Sequence, residues 1–543
     1  MDTQRLILFI VLSFSILMLW DAWQKEQQPA PLPTTKQSTI AVPVAKQETP
    51  SISSASSAAP SSLIAKPGQE IKVSTDEVSA VINTRGGDLT HLELRKYKDK
   101  RNPKKKFVLL DVDPPRYYVA QSGLIGEDLP THKTLYTAEA TRYTLAPGSN
   151  ALTVTLHWTG ARGIHVIKTF TFHRGSYVID QHYEIKNNGQ AAITPSAYFQ
   201  LLRDDKPPRD DPRFIHTYTG AAIYTSAGRF QKVSFKDISE KKHDFVQKSD
   251  NGWVAILQHY FLSAWLPAKG IKREYYTKHI GGDLYTAGVL LDNPFGTIKP
   301  GEEKTLSVPL YAGPQEQDSL DKLAKGLDLT VDYGWLTIIA SPIYWILAQI
   351  HKLVGNWGFA IIILTILIKL AFFPLSAKSY RSMAQMRKLS PKLKQLKEQY
   401  GDDRQRQHQA MMEIYKTEKI NPLSGCLPIV IQIPVFIALY WVLLSTVEMR
   451  EAPFILWIHD LSAADPYYVL PIIMGITQFI QTRLNPTPPD PVQAKLMMIM
   501  PLAFTIFFVF FPAGLVLYWI VSNILSILQQ WYITRKLGAQ TAR

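Results

Sequence analysis

From Leu496 to Thr534 the chain runs 39 residues without a charged side chain. As a single helix this would reach about 58 Å at 1.5 Å per residue. That is roughly twice the thickness of a hydrocarbon core, so the run must fold back on itself in a membrane. Phe-Pro-Ala-Gly at 511–514 is the predicted corner, because Pro removes a backbone donor and Gly accepts turn dihedrals. Spans at about 496–511 and 513–533 follow. Three further apolar runs precede it: 357–375, with the single charge Lys369; 427–444, with Gln432 inside; and 467–482. Residues 341–354 are short, aromatic and amphipathic, which predicts a helix lying in the interface. Leu6 to Trp20 reads LILFIVLSFSILMLW. No small-x-small cleavage site follows, and Trp20 and Trp23 suit an interfacial belt. Residues 1–23 therefore read as a sixth span, an uncleaved signal-anchor, with a cleaved signal as the alternative.

The rest of the chain is built differently. Residues 24–66 are rich in Pro, Ser, Ala, Thr and Gln and predict a linker that cannot bury a core. From 67 to 332 the hydrophobic period is two. ALTVTLHWTG (151–160) places Leu152, Val154, Leu156 and Trp158 on one face. TFTFHRGSYVIDQHYEI (169–185), GWVAILQHYFLSAWLP (252–267) and TLSVPLYAG (305–313) read as more strands. Many short strands with Gly, Asn and Pro punctuation predict an antiparallel β-sandwich, closed by an amphipathic helix at 317–327. The bulk mean hydropathy of -0.05 averages these two unlike parts and describes neither.

The formal net charge of +14 points to a polyanion partner or to membrane topology. Residues 376–420 carry 11 Lys/Arg against five Asp/Glu, whereas 448–466 carry one against four. By the positive-inside rule the first loop and both termini are cytoplasmic, and the β-domain lies outside. The basic loop reads as a helical hairpin. Met383, Met386, Leu389, Leu393, Leu396 and Tyr400 form a seam, Gly401-Asp402-Asp403 a turn, and Met411, Ile414 and Tyr415 a return face. Pro391 predicts a kink.

Enzyme signatures are missing: no Gly is followed by Lys, and no HExxH, GxSxG or GxGxxG occurs. The 13 His lack metal spacing, and one Cys, Cys426, forms neither an internal disulfide nor a Cys-rich metal site. No enzyme, cofactor or metal is expected, and Cys426 is given no role. Lys369 stands out, since a Lys near mid-membrane costs about 2.5–3.5 kcal/mol on insertion scales. It either snorkels to the headgroups or lines a wet concavity. Thr365 shares its helix face, and Gln432, Thr477, Gln478, Gln481, Thr505, Ser522 and Asn523 add polar atoms in other spans. Tyr518/Ser522 and Trp519/Asn523 are i, i+4 pairs. Ordinary interhelical hydrogen bonding is the alternative for each of these polar groups.

GWVAILQHYFLSAWLP (252–267), LDLTVDYGWL (327–336), VGNWGFAIIILT (354–365), NPLSGCLPIVIQIPVFIALYW (421–441), APFILWIHDLSAADPYY (452–468) and FPAGLVLYWIVSN (511–523) resemble the YidC/Oxa/Alb membrane-protein insertases of Gram-negative inner membranes. The resemblance implies a multidomain membrane protein. It would have a signal-anchor helix, a periplasmic antiparallel β-supersandwich, and an α-helical five-span bundle with a cytoplasmic helical hairpin. It also implies a hydrophilic groove open to cytoplasm and lipid, formed by Lys369, Thr365, Gln432, Tyr518, Trp519, Ser522 and Asn523. Lys369 stands where the family typically has Arg, and Trp519 where well-known relatives have Tyr. The implied partners are nascent membrane proteins, membrane lipids, the Sec translocon, the ribosome and the signal-recognition targeting machinery, with no small-molecule substrate. Arg381, Arg387, Lys388, Lys392, Lys394, Arg535 and Lys536 form the implied ribosome or targeting-factor face. The rival reading is an envelope-assembly or glycan-binding protein, with Trp158 and Trp253 lining a cleft in the β-domain.

Overall fold

The computed structural model describes residues 68–208, 217–242, 244–401, 403–418, 427–485 and 491–541. The predicted signal-anchor, the linker and Cys426 lie outside the described residues. Two compact units separate between Val331 and Asp332.

The first unit is a sandwich of a ten-stranded and a nine-stranded sheet. The larger sheet runs Arg273–Gly281, Leu284–Leu291, Ser196–Asp204, Tyr118–Ile125, Asp88–Lys98, Val78–Asn83 and Glu70–Ser74 as neighbours. The smaller has Thr219–Thr225, Trp253–Gln258, Phe261–Trp265, Glu303–Pro314, Val178–Asn187, Ile164–His173 and Ala151–Thr159 in that order. These neighbours pair antiparallel. Period two sets the inward faces: Ile164, Val166, Phe170 and Phe172 are buried on one strand. The fifth inward residue of that strand is Lys168, fully buried. Its Nζ donates to the Gly86 carbonyl at 2.8 Å. Asp88 Oδ2 accepts from Gln121 Nε2 at 2.7 Å, and Gln181 Nε2 crosses between the sheets to Ser122 Oγ at 2.6 Å. Burial pushes the Asp88 carboxyl up and the Lys168 ammonium down, and each charge offsets part of the other's shift.

Strands Trp253–Gln258 and Phe261–Trp265 are buried on both faces. Sandwich packing covers one face. On the other, Trp253, Leu257, Leu262 and Ala264 pack with Leu320 and Leu327. Trp253 stacks on Tyr224 with centroids 5.8 Å apart, and its Nε1 donates to the Lys325 carbonyl at 3.2 Å. Trp253 is therefore a core residue and not a cleft wall, while Trp158 is half-buried. A cleft of about 580 Å³ in this unit has neither in its walls. Two short helices belong to this unit, α1 (Phe235–Ser239) and α2 (Gln317–Leu323). The second stops earlier than the predicted 327. Gly326, at φ +76°, lies so close to Tyr224 that a Cβ would sit 2.3 Å from its ring. The chain must leave the helix to make that approach.

The second unit is helical: α3 (Thr337–Val354), α4 (Trp357–Ala371), α5 (Phe373–Tyr400), α6 (Arg404–Thr417), α7 (Leu427–Ser445), α8 (Val469–Leu484), α9 (Pro491–Phe508) and α10 (Ala513–Thr541). The apolar run 357–375 is not one straight span. It breaks at Phe372, and the axes of α4 and the start of α5 differ by 66°. Pro374 gives the reason: it lacks the N–H that a continuing helix requires, yet is tolerated in a first turn. Helix α3 starts four residues before the predicted interfacial helix. At 18 residues it is also long and apolar enough to cross a membrane. Its burial is one-sided: Ile343, Leu347 and Ile350 are buried, Ile338, Trp345 and Leu353 exposed. Among the described residues α3 and Ala513–Arg535 of α10 meet a span's length and hydropathy singly, and α4 with α5 does so as a bent pair. The apolar helices Gln432–Ser445, Val469–Leu484 and Ala494–Phe508 are shorter.

The predicted corner is present just ahead of Ala513. Helix α10 begins there because its first donors find partners outside the helix. Ala513 N–H reaches the Ala463 carbonyl at 2.7 Å and Gly514 N–H the Leu461 carbonyl at 3.0 Å. The hairpin packs as its seam predicts: Leu389, Leu393 and Tyr415 cluster with Met386, Met411 and Ile414. Helix α5 continues through Pro391.

Candidate functional site

Helices α7, α8, α9 and α10 surround a cavity of about 410 Å³. Helix α7 contributes Gln432, Ile433 and Phe436. Helix α8 and its end contribute Gln478, Gln481, Thr482 and Asn485, and α9 contributes Met497, Met500 and Phe504. Helix α10 contributes Tyr518, Trp519, Ser522, Asn523 and Ser526. The spacing on α10 explains this: 518, 522 and 526 are successive i+4 steps on one face, with 519 and 523 beside them. Five of the seven predicted groove residues, Gln432, Tyr518, Trp519, Ser522 and Asn523, thus share one cavity.

Lys369 and Thr365 are not among its walls. Both project from α4 and are buried. Thr365 Oγ1 donates to the Ile361 carbonyl of its own helix at 2.7 Å, so its hydroxyl proton is already committed. Lys369 reaches the wall from behind. Its Nζ donates to Ser526 Oγ at 2.7 Å and, more weakly, to Gln432 Oε1 at 3.4 Å. Ser526 in turn donates to the Ser522 carbonyl at 2.8 Å. A hydroxyl has one proton and two lone pairs, so Ser526 can only accept from Lys369. Lys369 is 4% exposed, and among the described residues it makes no ion pair. A buried cation held by neutral oxygens keeps most of its field, because the surroundings are poorly polarisable.

The remaining polar atoms are mostly engaged. Trp519 Nε1 donates to Gln478 Oε1 at 3.3 Å. Asn523 Nδ2 donates to Thr477 Oγ1 at 3.2 Å. Among the described residues, Gln481 Oε1 is buried without a partner. Phe436 meets Trp519 edge-on at 4.7 Å and closes one side. Ser526 was missed by the sequence reading, although the i+4 series from Tyr518 points to it.

The basic residues are partly engaged inside the chain. Arg387 Nη2 donates to the carbonyls of Arg483 at 3.3 Å, of Leu484, and of Asn485 at 3.4 Å, and so caps the end of α8. Lys392 pairs with Glu418 at 2.9 Å, and the Arg535 guanidinium lies 5.3 Å from the Trp531 ring centre. Arg381 and Lys388 are exposed. The side chains of Lys394 and Lys536 lie outside the described residues.

Comparison with known proteins fits this two-part build. Residues 70–346 match the family model of the YidC periplasmic domain, and 349–540 that of the 60Kd inner membrane protein. The membrane protein insertase YidC of Methylobacillus flagellatus is 56% identical over 550 residues, covering 100% of this chain and 99% of that protein. That of Nitrosospira multiformis is 53% identical over 562 residues, covering 100% and 98%. A solved structure of an active YidC insertase aligns over 86% of this chain and 93% of its own, at 18% identity and a TM-score of 0.43. On the family models and the full-length identity, the chain belongs to the YidC family of inner-membrane proteins.

Proposed function

We propose that this chain inserts membrane proteins into the inner membrane, and that the cavity between α7 and α10 receives the polar segment of a nascent client. The observation that carries the reading is Lys369: a buried ammonium, reached through Ser526 and Gln432, with donor capacity to spare. A polar segment entering a bilayer loses its hydration. A recess lined by amides and hydroxyls replaces part of it, and the cation attracts acidic side chains where the dielectric is low. The client's apolar segment then partitions into lipid under its own transfer free energy. No covalent step is needed. Helix α3 is proposed to lie along the interface with its exposed Ile338 and Trp345 toward lipid.

The finer assignments follow the charge. The hairpin of α5 and α6 and the end of α10 are proposed to face the cytoplasm, with Arg381 and Lys388 free to meet ribosomal RNA or a targeting factor. Cooperation with the Sec translocon belongs to the same reading. The test is Lys369→Glu with a short client bearing an acidic exported tail, reconstituted in proteoliposomes. Insertion should be lost, because a carboxylate behind Ser526 and Gln432 would repel the client's acidic side chains across the wall of the recess. Normal insertion by a stably folded Lys369→Glu protein refutes the role of the cation.

A further inference from the structure

Residues 95–106 join two strands of the larger sheet, Asp88–Lys98 and Lys106–Leu110. They carry eight Lys or Arg and one acid, Asp99, for a charge of +7. Residues 67–332 carry 35 basic and 31 acidic side chains, a net +4. This one hairpin therefore holds more than the domain's entire excess charge. The inner part is engaged: Lys96 pairs with Glu77, and Arg95 donates to the Thr75 carbonyl. At the tip, Arg101, Lys104 and Lys105 are exposed, and among the described residues they make no ion pair. The tip is also well ordered by its own bonds. Asp99 Oδ1 accepts from the Arg101 and Asn102 backbone N–H groups at 2.7 and 3.2 Å, and Asp99 N–H donates to the Lys105 carbonyl at 3.0 Å.

We infer that this hairpin is a docking surface for anionic phospholipid headgroups. Three observations favour lipid over a protein partner. The patch has no apolar centre, whereas a protein interface is usually organised around one; its single aromatic, Tyr97, is half-buried and tied to Glu316 at 3.1 Å. Six of its eight bases are Lys, a point charge that suits a diffuse anionic surface better than a fixed carboxylate. The domain also continues directly into the membrane helices at Asp332, so a bilayer is always within tethered reach.

The test uses the full chain in nanodiscs, with Cys426→Ser and Pro103→Cys carrying a fluorophore. Phosphatidylcholine discs are compared with discs that also contain phosphatidylglycerol, each with a headgroup quencher. Quenching should appear only in the anionic discs at low salt, and high salt should release it. Each base near an anionic surface changes partition about fivefold, so Arg101→Gln/Lys104→Gln/Lys105→Gln should weaken docking about a hundredfold. Lys269→Gln/Lys272→Gln/Lys278→Gln removes the same charge elsewhere on the domain and should dock normally. Equal quenching in both discs, an equal loss in the two triple variants, or protection seen only on adding an acidic polypeptide would each overturn the proposal.

Discussion

Lys369 makes its one short contact with Ser526, and Ser526 is held in turn by the Ser522 carbonyl. Among the described residues, removing that hydroxyl leaves the ammonium with the long bond to Gln432 alone. A hydrogen bond to a charged group is worth about 1.5–3 kcal/mol. Ser526→Ala should therefore slow insertion of an acidic-tailed client by about tenfold while a neutral-tailed client is little affected, and Ser526→Thr should restore it. An equal loss for both clients would mean a packing defect instead. In the β-domain the informative residue is His132. Burial, aided by the charges of Lys133 and Lys168, lowers its pKa from 6.5 to about 4. The unfolded chain then binds more protons than the folded one between those values, so the neutral imidazole's contribution is complete above pH 6.5 and is lost as pH falls toward 4. Asp88, shifted upward by burial, acts in the opposite sense. The clean measurement is the stability difference between the chain and His132→Gln, by urea unfolding. It should shrink toward acid by up to about 3 kcal/mol, at about 1.36 kcal/mol per pKa unit.

At the scale of elements, the cavity exists because helices approach closely around it. Gly475 of α8 faces Thr505 of α9 so tightly that a Cβ would sit 2.0 Å from Thr505 Oγ1 and 3.2 Å from its Cβ. That hydroxyl is bonded to the Pro501 carbonyl at 2.8 Å, so it cannot rotate away freely. Gly475→Ala should cost about 1–3 kcal/mol by overpacking, read as a lowered melting temperature in detergent. The hairpin is anchored rather than hung free. Tyr380 and Met383 of α5 pack on Ile533 of α10, and Arg387 caps α8. Arg387→Ala should speed amide exchange in the last turn of α8 and in α5, with Arg381→Ala as the neutral comparison. Unchanged exchange would show that the cap is redundant.

For the whole molecule, the two units carry different work under the proposed function. The cavity is built wholly from the helical unit. Deleting residues 70–310 should accordingly leave most insertion of a short client intact, whereas the envelope-assembly reading requires that deletion to abolish activity. Insertion of that client by the truncated chain is the measurement, and complete loss would favour the rival.

What the sequence determined by itself is what short-range physics dictates. A long charge-free run must leave water and must turn at Pro and Gly, so the helical unit and its α9–α10 corner were legible. Period two places alternate side chains on one face of a sheet, so the sandwich was legible too, as was the Met383–Tyr415 hairpin. The polar i+4 series on α10 marked one wall of the cavity. Tertiary structure alone decided the partners. Nothing local distinguishes Lys168, buried between sheets, from an exposed strand lysine; its partners come from Gly86 and Asp88, far away in the chain. Nor does local sequence say that Arg387 caps α8, or that Lys369 meets Ser526 across 157 residues. Which faces of two helices meet is set by packing the whole bundle, and a buried polar group is stable only where a distant segment brings its hydrogen-bond partner.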